Sequence, residues 1–86
     1  MQNQQENEAK LQEFFEKARK GVLRHLDQKG GELPLGELHD YSLKTYFIQH
    51  QRFSQLMESL VSENLVDYDG STQVSKITEA GKAFIK

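Results

Sequence analysis

The side chains that most often hold metals are few in this chain and widely spaced. Its 86 residues include three histidines, His25, His39 and His50, and no cysteine. The histidines lie 14 and 11 residues apart, and without thiolates they form a poor ligand set for zinc. We therefore expect no metal site and no cofactor, and we interpret the histidines as surface or half-buried side chains.

The sequence also lacks the common motifs of catalysis. It has no Gly-x-Ser-x-Gly elbow, no glycine-rich phosphate loop and no His-Glu-x-x-His pair. Asp67 and Asp69 would share one face of a strand, where two carboxylates could act as acid and base. Such a pair is far more often a solvated strand face, so the sequence favours a protein that is not an enzyme.

Charge is unevenly distributed along the chain. The 11 basic and 13 acidic side chains give a formal net charge of −2, whereas a dedicated nucleic-acid-binding domain is often strongly basic. The segment from Tyr41 to Met57 differs from the rest, because it contains Lys44 and Arg52 and none of the acids. Net charge alone therefore does not exclude a nucleic-acid partner.

Length and hydropathy predict one small domain with one modest core. No apolar run approaches the roughly 20 residues that a bilayer span needs, and cysteine usage gives no sign of an oxidising compartment. We expect a cytoplasmic, soluble protein that contacts no membrane. The polar residues 1–7 are expected to form a flexible tail, and residues 8–86 to form the domain.

The first element predicted by apolar spacing is a long amphipathic helix from Glu8 to Lys29. Gly30 and Gly31 are expected to supply a positive φ just past its end. Gly21, inside the helix, predicts either a close approach of another backbone or a locally weak turn. Acidic and basic side chains balance on this helix, including Glu16 with Lys20 at i, i+4 spacing, so we interpret its cations as a solvated face. Those cations are Lys10, Lys17, Arg19, Lys20, Arg24 and Lys29.

The rest of the chain predicts a short strand, two helices, a hairpin and a last helix. Thr78 is expected to cap the last helix, which would run through Lys86 with Ala80, Phe84 and Ile85 facing inward. The other predicted elements are an extended piece at 32–35, helices at 35–47 and 51–63 with a bend within 47–50, and strands at 65–69 and 73–77.

This order of elements is that of a winged helix-turn-helix, although it would also permit another small α+β arrangement. Residues 53–66, FSQLMESLVSENLV, resemble the recognition helix and following strand of winged-helix bacterial regulators, with Asn64 in place of the usual Gly. Asn also accepts the left-handed conformation that this helix exit needs. Residues 77–84, ITEAGKAF, resemble the closing segment of the same family.

The resemblance covers nearly everything from Leu11 to Lys86. It implies an α+β fold, a three-helix bundle with a C-terminal β-hairpin wing and a short terminal helix. One spacing departs from the family, because about four extra residues separate Leu38 from Phe53. We expect them to form either an extra turn on the second helix or a longer link before the third.

DNA binding is the common function of this family, and the resemblance implies that the start of the third helix enters the major groove. Gln can pair with adenine and Arg with guanine. Tyr41 and Tyr46 are expected to be core or hydrogen-bonding residues. The residues expected to contact double-stranded DNA are Gln51, Arg52, Ser54 and Gln55 at bases or nearby phosphates, with Lys44 and His50 at phosphates.

Two readings of the function remain open from the sequence. One is a DNA-binding transcriptional regulator, a homodimer through the first helix and the C-terminal helix, because one recognition helix with few cations would bind weakly. The other is a protein-interaction module. The hairpin tip, residues 67–73, favours the second reading, since it carries two acids and no cation and phosphate would repel it.

Overall fold

The structure is a computed structural model that describes the backbone of residues 4–86 and the side chains of residues 10–86. Its α+β architecture is the predicted winged helix-turn-helix, with a three-helix bundle, a hairpin wing and a short terminal helix. The elements are α1 (Gln4–Gln28), β1 (Glu32–Pro34), α2 (Leu35–Tyr46), α3 (His50–Ser62), β2 (Val66–Asp69), β3 (Val74–Ile77) and α4 (Glu79–Phe84).

Helix α1 begins at Gln4, four residues before the predicted start at Glu8. Residues 1–3 of the predicted tail lie outside the described residues. The extra residues before Phe53 belong to α2, because only residues 47–49 separate α2 from α3, the usual length of a helix-turn-helix turn. We call residues 47–49 the α2–α3 link.

Three strands form one antiparallel sheet in the order β1-β3-β2. Val66 lies opposite Ile77 in the hairpin, and Leu33 of β1 lies opposite Ser75. The amide of Leu35 then donates a hydrogen bond of 2.8 Å to the carbonyl of Gln73. The sheet therefore fixes the start of α2 directly against the wing.

The core lies between the second half of α1, the helices α2 and α3, and the sheet. Its α1 side begins at Ala18, whereas the earlier members of the same apolar stripe, Leu11 and Phe14, are 51% and 44% exposed. Each fully buried leucine contributes about 1.5 to 3 kcal/mol relative to an exposed one. The largest fully buried side chains are Val22, Leu23, Leu26, Leu38, Leu56, Leu60 and Val66.

Among the described residues, left-handed φ values occur at helix ends and, at Gln73, in the hairpin loop, and they were predicted in part. Gly30, Gly31 and Asn64 adopt φ values of 98°, 89° and 63°, which confirms the expectation for each. Phe47 and Gln73, at 57° and 60°, were not predicted, because neither residue type favours this region.

The close approach predicted at Gly21 is made by a side chain, that of Tyr46, and not by another backbone. A Cβ at this position would overlap the hydroxyl of Tyr46, so glycine makes room for that ring. The predicted cap of α4 is confirmed, since the amide of Gly81 donates to Thr78 Oγ1 at 2.9 Å. Ala80 is exposed and does not face inward, while Phe84 and Ile85 are half-buried.

Arg19 was predicted to belong to a solvated face. This prediction is wrong, because only 6% of the residue is exposed. Its guanidinium contacts Glu16 and lies 2.7 Å from Glu63 Oε1, just past the end of α3. Its Cζ also lies 5.6 Å from the centre of the Phe84 ring. Glu16 thus pairs with Arg19 in place of the predicted partner Lys20, and Arg19 joins α1 to α3 and α4.

Candidate nucleic-acid interface

Helix α3 carries five of the six predicted contact residues, and its buried face positions them. Phe53, Leu56, Met57 and Leu60 are buried and hold α3 against the core. His50, Gln51, Arg52, Ser54 and Gln55 are all exposed, as is Lys44 on α2.

The five side chains do not share one face of α3. With 3.6 residues per turn, Gln51 and Gln55 lie one turn apart and opposite the core. Arg52 lies on the flank towards α1, where it lines a recess with Phe14. His50 and Ser54 lie on the other flank and line a groove towards the wing. Of these five side chains, only those of the two glutamines lie on the outward face of the helix.

Two acids bound the acid-free segment and reduce its positive charge. Lys44 Nζ lies 3.0 Å from Asp40 Oδ2, one turn earlier on α2. Glu58 follows Ser54 by one turn and is exposed. Both acids lie just outside the sequence segment 41–57. In a helix, however, residues four apart are neighbours, so Asp40 lies beside Lys44 and Glu58 beside Ser54. Lys44 of α2 is thus paired with an acid, and Arg52 remains as the exposed arginine of α3.

A groove with a volume of about 1040 Å³ lies between α3 and the wing. We call it the wing groove. Its apolar lining on α3 comes from Phe53, Met57 and Val61, and helical spacing alone does not distinguish a groove from an interior. Tyr68, from β2, closes its wing side.

His39 and His50 meet at one end of the wing groove. Their ring centres lie 5.5 Å apart in an edge-on arrangement, and the His39 ring also packs against Phe53, with centres 5.0 Å apart. His39 Nε2 is buried without a hydrogen-bond partner. Within residues 10–86 no group of three or more potential metal ligands occurs, so this pair has no third ligand in the described chain.

The wing is acidic in three dimensions as well as in sequence. Lys76 of β3 lies opposite Asp67 on one side and opposite Glu32 on the other, so its charge is balanced by neighbouring strands. At the tip, Asp69 Oδ1 accepts hydrogen bonds from the amide of Ser71 at 2.9 Å and from its hydroxyl at 2.7 Å. These hydrogen bonds hold the pKa of Asp69 below its usual range.

The two tyrosines of α2 lie behind the interface and pack against the core, half-buried. Tyr41 stacks on His25 of α1 with ring centres 3.8 Å apart. Burial, and then the neighbouring Tyr41, raise the pKa of Tyr46. Both rings therefore contribute to the contact between α1 and α2.

Comparisons with known proteins identify the fold. No family model matches the chain, and no curated protein matches it. Among solved structures, the chain is similar to F93 from STIV, a winged-helix DNA-binding protein, with a TM-score of 0.62 and 19% sequence identity. The match covers 87% of this chain and 79% of that protein. The chain therefore has a winged-helix fold.

None of the helices described is long and apolar enough to cross a membrane.

Proposed function

We propose that this protein binds double-stranded DNA through the N-terminal part of α3 and acts as a transcriptional regulator. The observation that carries the proposal is the outward face of α3. Gln51 and Gln55 project from a helix whose opposite face is buried, in a fold shared with a DNA-binding protein. Two exposed amides one turn apart suit the base edges of the major groove, where Gln pairs with adenine.

Arg52 and Ser54 flank the two glutamines and would contact bases or phosphates at the walls of the groove. Lys44 and His50 would reach phosphates, although Lys44 must share its charge with Asp40. With so few cations, a single copy binds weakly. We therefore propose a homodimer in which α1, with α4 packed against it, supplies the subunit contact and two recognition helices act together.

The test is a mobility-shift assay on genomic DNA fragments at about 50 mM salt, where electrostatic attachment is strong. We expect a shift in the wild-type protein, and Arg52→Ala should weaken binding about tenfold, as losing a base-contacting arginine costs about 1 to 3 kcal/mol. Arg24→Ala, an exposed arginine on α1, is the matched control. An equally tight complex after Arg52→Ala would remove α3 from the interface.

A second candidate function is favoured by the wing groove. Its apolar lining beside an acidic wing suits a protein partner that offers an apolar helix with basic ends. In this function the same fold is a protein-interaction module and does not contact DNA. Absence of any shift at about 50 mM salt would favour it over DNA binding.

A further inference from the structure

Three apolar side chains are exposed where the first half of α1 passes the α2–α3 link. Leu11, Phe14 and Phe47 line one recess, and Phe47 is 83% exposed. We call these three residues the link patch. Single exposed apolar side chains are ordinary, but a contiguous group of them marks an interaction site.

The backbone of Phe47 adds to the case. Its φ of 57° lies in the left-handed region, which is strained for a bulky residue. The amide of Phe47 donates to the Leu43 carbonyl and that of Ile48 to the Ser42 carbonyl, at 3.0 and 3.2 Å, the hydrogen bonds of a helix end that ordinarily uses glycine. A strained position that presents an aromatic ring to solvent indicates that the ring has a use.

The apolar stripe of α1 is longer than the core that covers it. Leu11 and Phe14 continue the spacing of Ala18 and Val22, yet both are exposed, whereas Phe15 is half-buried against the core and Ala18 is fully buried. The 25 residues of α1 span about 37 Å, and the molecule measures 47 Å by 25 Å by 20 Å. The first half of α1 therefore projects beyond the core and leaves part of its apolar stripe without a covering surface.

We propose that a second copy of this chain covers the link patch, with the first half of one α1 seated against the recess of the other copy. The patch contains both a projecting helix and a recess, and a two-fold interface requires a surface complementary to itself. The recess, about 280 Å³, is slightly smaller than the usual site for a small molecule and suits one or two large side chains.

The charges beside the link patch also fit a second copy. Lys10, Glu13 and Lys17 are exposed along the same half of α1, so both signs alternate there. An antiparallel copy of the same helix can match such alternation, whereas a strongly basic or strongly acidic partner would meet a like charge.

This inference rests on the homodimer of the proposed function, although not on its DNA binding, and it narrows the subunit contact to the first half of α1, away from α4. Helix α4 packs near the middle of α1, where the Phe84 ring lies 5.6 Å from Arg19 Cζ and 5.5 Å from Lys20 Nζ. Those two cations cover the ring. Within residues 10–86 no cation lies over a ring of the link patch. Arg52 lines the recess of the patch, so the subunit contact would lie beside the start of α3.

Cross-linking locates the interface, because the natural chain has no cysteine. Single cysteines replace Leu11, Phe14 or Ala80, and each protein is oxidised mildly without DNA. We expect disulfide-linked dimers from Leu11→Cys or Phe14→Cys and none from Ala80→Cys, which lies exposed on α4. Cross-linking through Ala80→Cys alone would overturn the assignment.

Sedimentation measures the strength of the contact. Phe47→Gly suits the left-handed position and removes the ring, so it separates loss of the interface from loss of the fold. We expect it to raise the dimer dissociation constant at least about tenfold, as removal of a central aromatic side chain does. Tyr68→Ser, an aromatic residue of the wing with comparable exposure to Phe14, should leave that constant unchanged.

A wild-type chain that remains monomeric at concentrations on the order of 100 µM would overturn the inference. Equal dimer strength in the wild-type chain and Phe47→Gly would also overturn it. Mobility shifts of the same proteins are measured separately. A monomer that shifts DNA leaves DNA binding standing, whereas a dimer that shifts none supports the interface and contradicts the proposed function.

Discussion

Gly21 and Tyr46 show how one residue can reverse a general preference. Alanine is better than glycine inside a helix by about 1 kcal/mol, and Gly21 lies in the middle of α1. A Cβ there would nevertheless overlap the Tyr46 hydroxyl, and Tyr46 packs against the core. The glycine is therefore needed for packing between α1 and α2.

We predict that Gly21→Ala destabilises the protein by about 1 to 3 kcal/mol, because the tyrosine ring must move. Gly36 is the matched control, since it also lies in a helix and a Cβ there would meet nothing within 4 Å. Gly36→Ala should be neutral or stabilising. Urea denaturation of both variants measures the difference, and equal stability would contradict the role of Tyr46.

At the scale of elements, α1 and α2 are joined by a stacked pair of rings. His25 of α1 lies parallel to Tyr41 of α2, with ring centres 3.8 Å apart. Burial lowers the pKa of His25, and so does the charge of Lys29, while Glu37 opposes them. The folded state therefore favours neutral His25 more than the unfolded state does.

The sign of the pH effect follows from this lowered pKa. Below the ordinary histidine pKa of about 6.5 the unfolded state binds more protons at His25 than the folded state, so stability falls as pH decreases. We predict a lower urea midpoint at pH 5 than at pH 7.5. His25→Phe keeps a flat ring against Tyr41 and should reduce this difference. If the urea midpoints of His25→Phe differ between the two pH values as much as those of the wild-type protein do, the effect arises from other titratable groups.

The sequence predicts the elements better than the surfaces. Periodicity identifies α1 and α3, and Asn64 and Thr78 mark two helix ends, because these signals are local. Arg19 could not be predicted as buried, because its partner Glu63 lies 44 residues away. The sequence also could not predict how the α3 residues divide among two flanks and an outward face, because that depends on which elements pack beside the helix. The wing groove could not be predicted because it depends on the placement of the hairpin.

At the scale of the whole molecule, charge limits the affinity of the DNA binding that we propose. The chain has a net charge of −2, Lys44 is paired with Asp40, and the wing cation Lys76 lies between two acids. Few phosphates can therefore be neutralised by one copy.

We predict a shallow salt dependence of DNA binding. With two or three phosphate contacts per copy, the logarithm of the binding constant should fall with that of salt concentration with a slope of about −2 to −3, and about twice that for a dimer. Titrations of the mobility shift between about 50 and 200 mM salt measure it. A slope near −10 would require a basic surface that residues 10–86 do not present.

The hydrogen bond from the Leu35 amide to the Gln73 carbonyl has a mechanical consequence. It joins the first residue of α2 to the loop between β2 and β3, and β1 pairs with β3 immediately beside it. The wing and the helix-turn-helix therefore cannot change their mutual angle without breaking this joint. A molecule that displaces the wing must also displace the start of α2, so protection of the Leu35 amide from solvent exchange would report such a motion.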